Sequence, residues 1–139
     1  MRNVLFAAAV AGSVLTIGVA PGIASAAPTS AEPVERPLSS TEVLVSARPD
    51  VVDTEPVAVD AWSPLPSPDA IRVYFLSGTP ACYGVRAVTT ETADAVTVEL
   101  QSGLLPEATN RLCTAKGVLA ATDIALETPL GNREVLSRY

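Results

Sequence analysis

The chain has no histidine, only two cysteines, one methionine and one tryptophan, and aromatic residues make up 4% of it. The missing histidine restricts the chemistry most. Without an imidazole there is no Ser-His-Asp or Cys-His nucleophile and no histidine-ligated metal. Basic side chains are also few: nine Lys+Arg stand against fifteen Asp+Glu, a formal charge of −6. That balance argues against nucleic acid, whose affinity comes from Lys and Arg displacing counterions. No G-x-S-x-G elbow, D-x-D-x-D-G calcium loop or CxxC pair occurs. Composition alone names no activity, and no cofactor is implied.

What is present begins with an address. Arg2 is followed by an almost wholly apolar run from Val4 to Ala20. Pro21-Gly22 ends any helix there, and Ala24-Ser25-Ala26 supplies small residues where a signal peptidase reads. The order predicts a signal peptide over 1–26, cut after Ala26. The alternative, an uncleaved anchor, fits less well, because the run is short of the ~20 strongly apolar residues of a span. No cysteine lies near the cut to carry a lipid. After cleavage the sequence predicts no membrane segment.

The remainder divides by composition. Residues 27–69 hold eight of the twelve prolines and eight acidic against two basic side chains. Over 27–50 the Pro, Ser, Glu and Ala content predicts a disordered acidic spacer, because too little apolar surface is present to offset the ordering entropy. A solvated tail is the plainer reading, and a wall-crossing stalk or tether the functional one. Residues 51–139 form the expected domain, with its core over 70–137. An edge strand is expected near 57–62, between Pro56 and Pro64.

The domain reads as strands. Ile71, Val73 and Phe75 alternate with Arg72 and Tyr74, and Val96, Val98 and Leu100 alternate with Thr97, Glu99 and Gln101. Thr122, Ile124 and Leu126 oppose Asp123, Ala125 and Glu127. Ala93-Asp94-Ala95 is short enough to close a hairpin. Ser102–Asn110, including the Leu105-Pro106-Glu107-Ala108-Thr109 string that looks like a sorting signal, reads as a loop. No stretch gives a helical stripe. The expectation is an all-β fold: a small antiparallel β-sandwich or open barrel of six to seven short strands.

Two cysteines in an exported strand region predict one structural bond, Cys82–Cys113. The segments Ala81-Cys82-Tyr83-Gly84-Val85, Thr90-Glu91-Thr92, Val96-Thr97-Val98, Cys113 and Leu126-Glu127-Thr128-Pro129-Leu130-Gly131-Asn132-Arg133 carry a resemblance. They look like a small secreted domain common in actinobacteria, with a Cys, a V-x-E-T strand, a second Cys and a PLG-D/N-R turn. The resemblance covers about residues 55–137. It implies a location and a fold but no reaction.

Glu91 and Arg133 each sit beside a turn, and an Arg fork suits a carboxylate bidentately. An ion pair pinning the last strand is the structural reading, and an anion or carbohydrate contact the functional one. Carboxylate pairs such as Glu91 with Glu99, or Asp123 with Glu127, are the residue types of glycosidase acid/base chemistry, but a domain this small seldom encloses a sugar chain. Trp62, Tyr74 and Tyr83, with Tyr139, are candidates for a binding face, against the plainer reading as core filler and rim. The reading is a secreted or envelope-associated, non-enzymatic β domain that binds an envelope or extracellular partner or acts as a structural accessory. The alternative is a small extracellular hydrolase or hydrolase inhibitor. An exposed apolar patch favours a binder, a pocket of convergent polar groups an enzyme, and a rigid exposed loop near Cys113 an inhibitor.

Overall fold

The computed structural model describes residues 27–139, so the expected signal peptide lies outside the described residues. The fold is all-β. Its strands are β1 (Ser30–Ala31), β2 (Val34–Glu35), β3 (Val43–Leu44), β4 (Val52–Val57), β5 (Ala61–Pro64), β6 (Ala70–Ser77), β7 (Tyr83–Glu91), β8 (Ala95–Leu104), β9 (Val118–Ala125) and β10 (Glu134–Arg138). One 3-10 turn, Pro106–Ala108, follows β8. Among the described residues no helix is long and apolar enough to cross a membrane.

Two sheets enclose one core. In the first, β7 pairs with the whole length of β8. The other edge of β8 is shared: β10 runs parallel to its first half and β4 antiparallel to its second, and β1 continues beyond β10. The second sheet has the order β2-β5-β6-β9-β3. Three pairings are parallel, so the sheets are mixed where alternation suggested antiparallel order. The cause is that β10 and the short leader strands fill edges that no hairpin reaches.

The alternating residues meet between the sheets. Ile71, Val73 and Phe75 from one sheet and Val85, Val96, Val98 and Leu100 from the other join a single buried cluster with Trp62, Ile124 and Val135. Burying each such side chain contributes about 1.5–3 kcal/mol.

The single strand expected near 57–62 is instead a crossover. The chain leaves the first sheet after Val57 and enters the second at Ala61. Between them Val59 turns into the core, its N–H donating to the buried Ser137 Oγ at 2.9 Å. The interior draws the chain across because a buried hydroxyl and an apolar slot wait there, which alternation along one strand does not reveal.

The spacer expected over 27–50 also differs from the structure: it lies along the sandwich. β1, β2 and β3 each add two residues to an exposed edge. Arg36 stacks on Tyr74 at 3.7 Å and pairs with Glu42. Ladders only two residues long leave no periodicity to read, and edge hydrogen bonds hold what apolar burial does not.

Candidate functional site

The Cys82–Cys113 bond exists, with Cα atoms 6.1 Å apart. It staples residues 110–117, which contain no strand until β9, to the start of β7. A small second core surrounds it: Val51, Cys82, Leu105 and Ala108 are buried, with Tyr83 and Cys113 packed alongside. A pair of facing glycines makes the seat. A Cβ on Gly84 would meet Leu105 and Val51 at 2.7 and 2.8 Å, and one on Gly103 would meet the Val52 carbonyl at 2.4 Å. Leu105 and Ala108 are therefore buried, and much of the expected loop is strand end and turn. Such a bond forms and persists in an oxidising, extracytoplasmic environment.

Glu91 and Arg133 do meet. Arg133 Nη1 lies 2.8 Å from Glu91 Oε2, both side chains more than nine-tenths buried. Gly131, at φ +56°, makes the left-handed turn that aims the arginine back at its own loop. All five guanidinium N–H groups are occupied. Nε donates to Leu130 O, Nη1 to Glu91 and Thr92 O, and Nη2 to Thr128 O and Pro129 O. Glu91 also accepts the Glu127 N–H at 2.6 Å. That amide first, and Arg133 second, hold its carboxyl below the ordinary range. With no donor free, this pair locks the crossover from β9 to β10 and offers nothing to an external anion.

The aromatic residues do not share a face. Trp62 is buried in the main core, opposite Val73. Tyr74 points from the other side of the same sheet and is buried under the leader. Its hydroxyl accepts the Ser39 N–H at 3.1 Å and lies 3.0 Å from Ser63 Oγ, which donates to Arg36 O. Tyr83 is half-exposed, and Tyr139, whose backbone pairs with Thr29, is exposed. Three of the four carboxylates named for acid/base work are likewise in separate ion pairs: Glu99 with Arg138, Asp123 with Arg72, and Glu91 with Arg133; Glu127 is in none among the described residues. Among the described residues no cluster of His, Cys, Asp and Glu is placed to hold a metal.

Two features were not anticipated. Leu76 and Leu119 are direct cross-strand partners, and Leu44, opposite Ala121, lies two residues along the same face. All three are more than half exposed. This apolar tract runs into a groove of about 520 Å³, where Leu76, Tyr83 and Leu104 meet Asp53, Glu55 and Lys116. The disulfide braces the groove, since Tyr83 adjoins Cys82 and residues 114–117 hang from Cys113. The only available sequence signal was Leu76 falling on the non-core phase of its strand. Which strand would lie beside it was not readable.

No family model matches the sequence, and neither a curated protein nor a solved structure matches it.

Proposed function

We propose that the chain is an exported, non-enzymatic binding domain that works in the cell envelope or the medium, in keeping with the actinobacterial secreted domain its motifs resemble. The observation that carries this reading is the continuous Leu44–Leu119–Leu76 tract opening into the groove. Contiguous exposed apolar surface on a small soluble domain marks an interaction site. Glu91, Glu99 and Asp123 are held in structural ion pairs, so the carboxylate chemistry considered for catalysis has less support. A hydrolase inhibitor is the second reading. It is favoured by Leu112, which is fully exposed beside the bridged Cys113.

The test is retention of the purified protein by envelopes of the producing cell. Leu76→Glu with Leu119→Glu changes two exposed side chains and leaves the core untouched. The double variant is expected to keep the wild-type melting point and to lose most of its retention. Equal retention of both proteins would remove the tract from the account. Loss of binding on Leu112→Glu instead would favour the inhibitor reading.

A further inference from the structure

The first sheet ends in an edge that the described residues leave open. The hydrogen-bond phase of β7 follows from its ends: Leu105 N–H donates to Cys82 O, and Thr92 N–H to Ala95 O. In the β7–β8 register both are facing pairs, so even-numbered residues of β7 bond to β8 and odd-numbered ones turn outward. Val85 O, on the outward phase, accepts the Arg48 N–H at 2.8 Å. Beyond it, the N–H and C=O groups of Ala87 and Thr89 have no partner among the described residues.

Natural edges are normally guarded by proline, a bulge, a central charge or a covering segment. The leader covers the other edges of this fold, and Pro56 guards β4. From Ala87 to Thr89 nothing of that kind is present among the described residues. Beside this stretch lies a hollow of about 320 Å³ lined by Ala47, Pro49, Arg86, Ala87 and Val88. Val88 is half exposed there. Arg86 donates from Nη2 to Gln101, yet its buried Nε has no hydrogen-bond partner among the described residues.

We infer that this edge is a strand-addition site for an extended peptide segment of a partner protein. Main-chain groups of the guest would pair with Ala87 and Thr89, and its alternate side chains would lie beside Arg86 and Val88. The guest therefore carries a carboxylate residue and an apolar residue two positions apart. The acid gives the Arg86 guanidinium, bonded to Gln101, the carboxylate it lacks among the described residues, and the apolar side chain fills the hollow against Val88. This site is on the sheet opposite the leucine tract, so it stands or falls independently of that reading.

The probe is a blocked seven-residue peptide alternating threonine and valine, with one glutamate two positions from a valine. The control has glutamine in place of the glutamate. Amide exchange of the ¹⁵N-labelled protein is followed by NMR. With saturating glutamate peptide, exchange at Ala87 and Thr89 is expected to slow at least several-fold, while Val88, already bonded to β8, is unchanged. The glutamate peptide should bind about tenfold more tightly than the glutamine one, the difference a charge-assisted hydrogen bond makes. Arg86→Gln should abolish that preference, and Ala87→Pro, which removes an unbonded N–H, should abolish binding. No protection of Ala87 and Thr89 at millimolar peptide would overturn the proposal. So would protection that appears without peptide and grows with protein concentration, because a second copy would then be the occupant.

Discussion

Replacing Glu91 with glutamine changes the charge and one hydrogen-bonding group of a buried site while preserving its shape. The carboxylate accepts from the Glu127 N–H and from Arg133 Nη1, one on each oxygen. A glutamine carbonyl satisfies only one of these. Its amide nitrogen must then face the other donor, and Arg133 keeps a buried charge without its partner. Leaving a buried donor unsatisfied costs about 1–3 kcal/mol, and breaking a buried ion pair about 3–5 kcal/mol. Because the isostere retains one bond, about 2–3 kcal/mol is expected, which for a domain near this size lowers the melting midpoint by roughly 10 °C. Circular dichroism melts at several pH values provide the assay. The Glu91 carboxyl is depressed in the folded state, so its stabilisation is complete above the usual value of 4.5 and is lost as pH falls from there through the folded value. The gap between wild type and variant should be full at pH 7 and close in acid. A double cycle with Arg133→Met should show strong coupling. A Glu91→Gln midpoint within ~1 °C of wild type at pH 7 would refute the reasoning.

Two further outcomes follow from the same geometry. Reducing the Cys82–Cys113 bond, which closes a separation of 31 residues, should cost about 3–4 kcal/mol. Amide exchange should rise first around residues 105–117; uniform loosening of both cores would contradict the two-core description. In the leader, Glu42 is held down to about 2 by Ser39 and then Arg36, so its contribution is present above about 4.5 and lost between there and about 2. Limited proteolysis at pH 3 should therefore cut within residues 36–50 while the sandwich stays intact, and Arg36→Ala should allow the same cut at pH 7. Equal resistance of that segment in both proteins would separate its docking from the Arg36 contacts.

How much of this was legible in the sequence depends on what each feature rests on. Ile71, Val73 and Phe75, or Val96, Val98 and Leu100, declare their faces by alternation, because a half-buried strand has a period of two. Cys82–Cys113 follows from the expected export and an even count, and Glu91–Arg133 from charge and turns. The Val57–Trp62 stretch misled because its alternation belongs to two sheets joined by a crossover at Val59. Tyr74 misled in the opposite sense. It lies on the outward phase of β6, but Arg36, thirty-eight positions earlier, covers it. The leucine tract needed the pairing of β6 with β9, and strand neighbours are not written in a single sequence.

The leader's docking and the openness of β7 have one physical origin. A sheet edge is a row of donors and acceptors that pairs with whatever extended chain is near. Residues 30–44 are proline-punctuated and acidic, unable to form a core, yet they need only two extended residues at a time to pair with such a row. They close the exposed flanks of β10, β5 and β9 in this way, and Pro33 and Pro37 bracket the β2 ladder. Arg48 donates one bond of the same kind to Val85 O, and the chain then turns away to β4. The unpaired groups of Ala87 and Thr89 are thus what remains where the protein's own edge-covering segment ends.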